Sequence, residues 1–228
     1  MNKKKFNILV ACEESQVVTI AFRERGFKAY SCDLQEPSGK HLEWHVKDDV
    51  IKLLNTPVNF RTMDNKRHRV ENWSLIIAHP PCTYISKAGA VWMFKNKKLN
   101  QERYEKMLEA CQFFKKFLES SVPLVCVENP VPLKIAPIPR PTTYIEPYWF
   151  GESYSKKTCL WLKNLPPLFP TIIQGQHKPW VNGGNHHHKY SLGKHRNSKM
   201  RSKTFVKVAE QFSRQYGDFM IKFYQDKL

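Results

Sequence analysis

The chain has 228 residues, enough for one domain with a buried core, and its 41% hydrophobic content excludes wholesale disorder. No apolar run approaches the roughly 20 residues that span a membrane, and the basic start meets Glu13 and Glu14 too soon for a signal peptide, so we expect a cytoplasmic protein with no membrane partner. With 37 basic and 20 acidic residues, the formal net charge is +17, which favours nucleic acid as a partner through counterion release.

The first elements along the chain predict a βαβ unit. Phe6 to Ala11 is a short apolar run typical of a buried parallel strand. Apolar residues at helical spacing follow, with Ser15 as the expected N-cap and Gly26 as the residue that ends the helix. Residues 28–32 predict a second strand, which closes on Asp33.

The next stretch is predicted to be mostly irregular until two further strands. Residues 37–47 are expected to form a polar loop and residues 55–72 a charged, irregular segment, with a short apolar run at 50–54 between them. Residues 74–78 and 123–127 predict buried strands. A helix that begins after an Asn100 cap and ends near Ser120 is expected to connect them.

Each of these two strands is followed by residues suited to chemistry. His79-Pro80-Pro81-Cys82 follows the first, and Glu128-Asn129-Pro130 follows the second. Ligands of open α/β sheets bind beyond the carboxyl ends of the strands, so we expect the thiol and the carboxylate to share one crevice. A thiolate there can add to a pyrimidine ring, and an acid whose pKa is raised by burial can protonate the ring nitrogen. The thiolate requires either a lowered pKa or a base. The alternatives are a buried structural cysteine and a capping or ion-paired carboxylate.

The remaining segments predict a basic surface. Residues 130–181 are rich in proline and aromatic residues, which favours short strands and turns, and residues 182–203 are polar and basic. Residues 204–224 predict an amphipathic helix that Thr204 caps. The loop at 84–98 is expected either to close over a flipped base or to pack Trp92 and Phe94 on the core. Asn129 is expected to brace the turn after its strand. The three histidines at 186–188 lack the spacing of a metal site.

The two short motifs resemble those of the cytosine-C5 DNA methyltransferase family. Pro81-Cys82 resembles its Pro-Cys motif, and Glu128-Asn129 resembles its Glu-Asn motif. More closely, the chain is similar to the compact, often phage-encoded proteins labelled cytosine-methyltransferase-like. The shared runs lie at residues 11–16, 79–83, 154–158, 162–168 and 201–205.

The resemblance implies an α/β fold: a single Rossmann-like methyltransferase domain with a mainly parallel sheet and a small irregular lobe. Residues 1–129 and 204–228 would form the core, with the last helix packed beside the first strand. Residues 130–203 would form a basic lobe in place of a target-recognition region. The implied reaction transfers a methyl group from S-adenosylmethionine to C5 of a flipped cytosine, with Cys82 and Glu128 as catalytic residues. The substrate would be DNA, double- or single-stranded, or a free pyrimidine nucleotide.

The same resemblance implies two sets of binding residues. The cofactor would contact residues near the strand ends, with Asp33 at the ribose hydroxyls and Asp49 at the adenine amino group: Cys12, Glu13, Glu14, Asp33, Asp49 and Pro80. Phosphates would contact basic residues of the loop and the lobe: Lys87, Lys95, Lys156, Lys157, Lys189, Arg196, Arg201 and Lys203.

One departure from the family pattern keeps other functions open. The turn at residues 11–16 contains no glycine, although close approach of a backbone to a cofactor normally needs one. Its carboxylates are also typical of a first helical turn. The absence of glycine from the turn favours a catalytically silent, methyltransferase-like factor that binds nucleic acid or protein, whereas Cys82 and Glu128 favour the enzyme. An enzyme that modifies a pyrimidine nucleotide is the third hypothesis.

Overall fold

The computed structural model describes residues 3–95, 98–173, 175–180 and 203–226. No helix in this part of the chain is long and apolar enough to cross a membrane. The strands, in chain order, are β1 (Asn7–Ala11), β2 (Lys28–Asp33), β3 (His45–Lys47), β4 (Val58–Arg61), β5 (Arg67–Val70), β6 (Leu75–Ala78), β7 (Phe94–Lys95), β8 (Lys98–Leu99), β9 (Val125–Pro130), β10 (Thr143–Ile145), β11 (Tyr154–Ser155), β12 (Thr158–Lys163) and β13 (Lys178–Pro179). The helices are α1 (Val17–Glu24), α2 (Ile51–Leu54), α3 (Ala90–Met93), α4 (Gln101–Leu118) and a C-terminal helix, which comprises Val206–Gln211, a π-helical turn at Phe212–Tyr216, and Gly217–Gln225.

Seven strands form one central sheet in the order β10-β12-β9-β6-β1-β2-β3. From β9 to β3 all neighbours pair in parallel, whereas β12 pairs antiparallel with both β9 and β10. The prediction of an α/β fold with a mainly parallel sheet is confirmed. The chain runs outward from β1 through β2 to β3, and on the other side from β6 to β9, so its direction across the sheet switches between β1 and β6. Such a switch point is where open α/β sheets bind ligands.

Both faces of the sheet are covered, because successive residues of its central strands point to opposite faces and are apolar on each. Leu9 and Ile76 belong to the core that includes Phe114 of α4. Ile8 and Ile77 belong to the core that includes the C-terminal helix and α1. The C-terminal helix packs beside the first strand, as expected: the rings of Phe6 and Tyr224 are 5.9 Å apart.

Several predicted boundaries are confirmed. The four predicted parallel strands are β1, β2, β6 and β9. Gly26 ends the segment after α1 with a φ of +87°, and the side chain of Asn100 accepts a hydrogen bond from the Arg103 backbone N–H at 3.2 Å at the start of α4. The stretch at 130–173 forms short strands and turns, as its proline content predicts.

Other local predictions are wrong. The N-cap of α1 is Gln16 rather than Ser15, and the C-terminal helix begins after Phe205 with no side-chain cap, so Thr204 does not cap it. The carboxylate of Glu152 accepts the Lys207 N–H there instead. The predicted polar loop at 37–47 contains β3, which pairs with β2 and forms one edge of the central sheet.

The segment at 55–72, expected to be irregular, forms the antiparallel β4–β5 hairpin. Val58 and Phe60 are buried, whereas Asn59 and Arg61 are exposed, which is the alternation of a half-buried strand. Two strands of the predicted lobe, β10 and β12, belong to the central sheet, whereas β11 pairs with β13 in a separate two-stranded sheet. The division of the chain into a core and a lobe stays a prediction.

The segment after β2 folds back onto the turn between β1 and α1. The Ser38 N–H donates to the Glu14 carbonyl at 2.8 Å, and the His41 N–H donates to Oε1 of Gln16 at 3.0 Å. Between them Gly39 lies so close to the turn that an added Cβ would be 2.7 Å from Gln16 Cβ and 2.8 Å from the Ser15 carbonyl oxygen. The absence of a side chain at Gly39 is therefore required for this contact.

Gly39→Ala is expected to lower the free energy of unfolding by about 1–3 kcal/mol, because the added methyl group overpacks the turn. Gly175→Ala is the control, since nothing lies within 4 Å of its added Cβ. Urea denaturation of both variants measures the difference. Equal stability of the two variants would contradict the close packing of Gly39 on the turn.

Candidate active site

The register of the parallel strands brings three chemically distinct residues to one level. Ala11 of β1 pairs with Ala78 of β6, and Ala78 pairs with Val127 of β9. The residues one position further along therefore lie side by side at the carboxyl edge: Cys12, His79 and Glu128. Glu128 was expected just past its strand, but β9 continues to Pro130 because the antiparallel β12 extends the pairing, with Leu160 opposite Glu128.

Within this row, His79 and Glu128 form a close pair. Nδ1 of His79 is 3.0 Å from Oε2 of Glu128, and their side chains are only 11% and 14% exposed. The sequence pattern did not predict this pair. The position of His79 directly after a buried strand was the available signal, but its partner comes from a strand that begins more than forty residues later.

The Glu128 carboxyl group differs from the expectation. Burial raises its pKa, but the hydrogen bond from His79 and the charges of His79 and Lys156 outweigh burial, so that the pKa lies below its ordinary value. The expected net rise in the pKa of Glu128 is therefore wrong, because the prediction did not include His79 and Lys156 as neighbours. Glu128 is a carboxylate in this state, and it needs a proton before it can act as an acid.

Cys82 is half-buried, so its sulfur is not sealed inside the core. Burial raises the pKa of the thiol and the negative charge of Glu128 raises it further, whereas Lys156 and the Ser86 hydroxyl act in the opposite direction. A lowered pKa therefore does not supply the Cys82 thiolate in this structure, and a base must remove the proton of the thiol. The structure brings the Cys82 thiol, Glu128 and Lys156 within electrostatic reach of one another.

The backbone before Cys82 is held by Asn129. Its buried Nδ2 donates to the carbonyl oxygen of Pro80 at 2.7 Å, and the Ser86 N–H donates to the Cys82 carbonyl at 2.8 Å. Asn129 was expected to brace the turn after its own strand, whereas the contact observed for its side chain is with the segment before Cys82. Because Asn129 follows Glu128 directly, one strand sets the positions of both the carboxylate and the turn that carries the thiol.

Cys12, a member of this row, belongs to the turn that was predicted to contact the cofactor. Cys12 and Gln16 both have a φ of 59°, so the turn at 11–16 reaches the left-handed region without glycine, at about 1–2 kcal/mol per residue. Burial raises the pKa of the Cys12 thiol well above its ordinary value, and the charges of Asp33, Cys32 and Asp49 add to the rise. Asp33 and Asp49 therefore lie within electrostatic reach of Cys12.

The carboxylate of Glu13 is committed to the start of α1. Its Oε1 accepts the Val18 N–H at 2.6 Å, and its Oε2 accepts the Thr19 N–H at 3.2 Å and the Thr19 hydroxyl at 2.7 Å. Burial raises its pKa, although His79 and these hydrogen bonds lower it in part. Glu13 thus occupies the backbone amides that a ligand would otherwise find at this helix end.

The other predicted cofactor residues also have local partners. Asp33 accepts the Gln35 N–H at 2.9 Å, and Asp49, which is exposed, accepts the Ile51 N–H at 3.0 Å. Glu14 is half-buried, and Pro80 is buried beneath the Asn129 contact. Their contact with a cofactor stays a prediction.

The basic residues predicted to bind phosphate fall into three groups. Lys156 is half-buried at the site, and its charge acts on both Glu128 and Cys82. Lys203 donates to the Ser38 hydroxyl at 3.0 Å. Lys87 and Lys157 are exposed, with the Lys157 ammonium 4.1 Å from the centre of the Tyr144 ring. The remaining positions lie outside the described residues, or have side chains that do: Lys95, Lys189, Arg196, Arg201 and the histidines at 186–188.

The loop after Cys82 presents aromatic side chains to solvent. Trp92 is 67% exposed and Phe94 is 48% exposed, while Ile85 and Met93 are buried. The alternative in which Trp92 and Phe94 pack on the core is therefore wrong. Trp92 instead lines a surface pocket of about 220 Å³ with residues of the start of α4, including Arg103, which stacks over the Tyr84 ring at 5.0 Å.

Glu128→Gln and Glu13→Gln are expected to change the pH dependence of stability in opposite directions. The pKa of Glu128 is lowered, so its ionised form adds stability that is present above the unfolded pKa of about 4.3 and lost as the pH falls through the folded pKa. The pKa of Glu13 is raised, so its contribution is present below the unfolded pKa and lost as the pH rises through the folded pKa.

Urea denaturation of the wild type and both variants between about pH 3 and pH 7 measures these contributions. The stability difference between the wild type and Glu128→Gln should grow with pH, and the difference for Glu13→Gln should shrink. Differences that follow the same trend in both variants would contradict the assigned environments.

Comparisons with known proteins add little to this geometry. Neither the family models nor the curated protein sequences match the chain. Among solved structures, the chain is similar to an E. coli protein described as a candidate DNA modification methyltransferase encoded within a prophage, with 13% identity and a TM-score of 0.45. The match covers 74% of this chain and 52% of that one, so the chain spans about half the length of the protein it matches. The function is therefore argued from the site itself.

Proposed function

We propose that the protein is a methyltransferase that acts on C5 of cytosine in nucleic acid, with Cys82 as the nucleophile. One observation carries the proposal: Asn129, the residue after Glu128 on β9, donates to the Pro80 carbonyl at 2.7 Å, which holds the backbone before Cys82 beside Glu128 at the carboxyl edge of the sheet, next to its switch point. That edge is where this class of fold performs chemistry. The resemblance of the His79–Cys82 and Glu128–Pro130 runs to methyltransferase motifs points in the same direction.

The chemistry follows from the reactivity of the pyrimidine ring. Glu128, which is ionised, would take the proton of the Cys82 thiol. The thiolate would then form a bond from sulfur to C6, the electron pair of the C5–C6 double bond would move towards C5, and Glu128 would pass the proton to N3. C5 would accept the methyl group of the bound donor, whose sulfonium sulfur would leave as a neutral thioether. Loss of the C5 proton to water, cleavage of the sulfur–C6 bond and return of the N3 proton to Glu128 would restore the ring and the thiolate.

The residues at the neighbouring edge fit S-adenosylmethionine in charge and donor type. In a chain with a net charge of +17, the negative groups Asp33 and Asp49 lie within electrostatic reach of Cys12, which suits a ligand with ribose hydroxyls, an amino group and a cationic sulfur. When bound, this cofactor supplies the electrophilic methyl group. Asp33 would hold the ribose hydroxyls, and Asp49 would hold the adenine amino group.

The proposed substrate is nucleic acid because of the charge and the exposed aromatic loop. Target carbons inside a duplex are reached only by flipping the base or by binding single strands. Lys156 at the site and the exposed Lys87 and Lys157 would neutralise phosphates. Trp92 and Phe94 extend from the loop that follows Cys82, where a ring can stack on an unpaired base.

A second candidate function is supported by Glu13. Its carboxylate fills the amide donors at the start of α1, where a cofactor would otherwise find hydrogen bonds. This arrangement favours a nucleic-acid-binding factor that retains the fold without catalysis. Calorimetric titration with S-adenosylmethionine separates the two functions. The enzyme should bind this cofactor and lose binding in Asp33→Ala, whereas the binding factor should show no heat of binding in either protein.

Cys82→Ser is expected to abolish transfer of a labelled methyl group from S-adenosylmethionine to DNA, since serine supplies no thiolate. Cys111→Ala, a buried cysteine on α4, should retain transfer. DNA and free cytidine nucleotides are compared as substrates, and a 5-fluorocytosine duplex should trap the wild type as a covalent adduct. Transfer by Cys82→Ser at the wild-type rate, or no transfer by the wild type to any of these substrates, would refute the proposal.

Trp92→Ala is expected to weaken binding of single-stranded DNA by about 1–3 kcal/mol, which is the range for loss of one base–aromatic stack. Phe169→Ala is the matched control, because Phe169 is 66% exposed beside the C-terminal helix rather than beside the site. Fluorescence anisotropy at fixed salt measures both affinities. Equal losses in the two variants would show that Trp92 does not stack on the substrate.

A further inference from the structure

The β4–β5 hairpin is fixed to the sheet by its inward side chains. The ring of Phe60 lies 5.1 Å from the ring of Tyr30 on β2 and 6.0 Å from the ring of Trp73. The Met63 N–H, in the turn of the hairpin, donates to the His45 carbonyl of β3 at 2.9 Å. The hairpin therefore lies on the β2–β3 side of the sheet, and its outward face has a defined position.

Two arginines stand directly opposite each other on this outward face. Arg61 of β4 pairs with Arg67 of β5, and at the next position on the same face Asn59 pairs with Arg69. All four residues are exposed. Directly opposite residues have Cβ atoms roughly 5 Å apart, and like charges in such a pair destabilise a hairpin. The face thus carries a repulsion that nothing in the packing of the hairpin requires.

The nearby carboxylates do not neutralise the opposed arginines. Glu71 forms an ion pair with Arg69, and Asp64 forms one with Lys66. Within the residues that the structure describes, neither of the two opposed arginines forms an ion pair with a carboxylate. An anionic partner at this face would offset their repulsion.

The composition of the face points to phosphate groups as that partner. The chain contains 10 arginines and 27 lysines, and three of the arginines lie on this one face. The planar fork of a guanidinium group donates two parallel hydrogen bonds to a phosphate. Further positive charge lies nearby: burial lowers the pKa of His68 on β5, and Lys28 and Lys66 are among the charges that lower it further.

Two features of the hairpin determine which polyanion fits it. Single strands are bound by aromatic rings on which bases stack, but the Phe60 ring is buried against the core. A membrane surface is bound by a basic face that also presents apolar side chains, and among the described residues no exposed large hydrophobic side chain lies within 58–70. A duplex, with its bases stacked inside and its phosphates outside, needs neither feature.

We propose that the outward face of the β4–β5 hairpin binds the phosphate backbone of double-stranded nucleic acid. Arg61 and Arg67 each neutralise one phosphate, so the contact is independent of base sequence. The hairpin packs beside β2 and β3, whereas Cys82 follows β6, so this surface is separate from the candidate active site. The inference goes beyond the proposed function, because binding at the hairpin does not require methyl transfer.

The double variant Arg61→Gln/Arg67→Gln tests the surface. Each phosphate contact contributes about 0.9 to the slope of log affinity against log salt concentration, so the slope should fall by about 1.8. The affinity for a DNA duplex at 0.1 M salt should fall by about 10- to 60-fold on the same basis. Fluorescence anisotropy at several salt concentrations measures both quantities.

Lys116→Gln/Lys222→Gln is the matched control, because it removes the same charge from exposed residues of α4 and the C-terminal helix. The control should retain most of the affinity and the slope of the wild type. Equal changes in the two double variants would overturn the proposal, since net charge alone would then account for binding.

Arg67→Glu separates binding from folding. It places opposite charges across the hairpin, which stabilises the pair, so the variant should unfold at a urea concentration no lower than the wild type. Its affinity for the duplex should nevertheless fall at least as far as in the double glutamine variant. Wild-type affinity in Arg67→Glu would overturn the proposal.

Two further measurements identify the partner and keep this inference distinct from the proposed function. Sedimentation with anionic phospholipid vesicles should show no binding that depends on Arg61 and Arg67; such binding, in a protein that does not bind the duplex, would overturn the proposal. Cys82→Ser should bind the duplex as the wild type does. A protein that binds through the hairpin but transfers no methyl group supports this surface and refutes the proposed function.

Discussion

The register of the parallel strands is the constraint on which the site depends. Ala11 pairs with Cys32 on one side and with Ala78 on the other, and Ala78 pairs with Val127. One further position along each strand therefore gives a single row across the sheet: Asp33, Cys12, His79 and Glu128. Because a shift of one residue would turn a side chain to the other face, the buried apolar pattern that sets the register also sets the site. The site is thus a consequence of core packing.

The environment of each carboxylate, rather than its residue type, determines its protonation. Glu13 and Glu128 are both buried at the same edge, and both lie near His79. Glu13 has only neutral hydrogen-bond donors in contact, so burial dominates and its pKa is raised. Glu128 has His79 in contact and Lys156 nearby, so its pKa is lowered. The pair separates into a carboxyl group that favours its proton and one that releases it, which is the usual basis of acid–base assignment.

Local pattern was enough to predict the parts of the fold that are set locally. The apolar runs gave β1, β2, β6 and β9, and Asn100 marked the start of α4. The three-residue β3 has no comparable run, and the place of β12 beside β9 is a long-range pairing with no local signal. The same limit applies to the site. Cys82 and Glu128 could be placed at strand ends, but the contact between His79 and Glu128, and hence the direction of the Glu128 pKa shift, depends on which strands are neighbours.

In the proposed reaction, the electrostatics of this row would couple formation of the thiolate to protonation of N3. The charge of Glu128 is one of the causes that raise the pKa of the Cys82 thiol. In the proposed reaction, the proton that leaves the Cys82 thiol would be taken up by Glu128 and passed to N3, so one carboxylate would serve both the sulfur and the ring nitrogen. A thiolate next to Glu128 raises the affinity of that carboxylate for a proton. Attack at C6 and protonation at N3 therefore favour each other, and neither requires a cysteine that is ionised before the substrate binds.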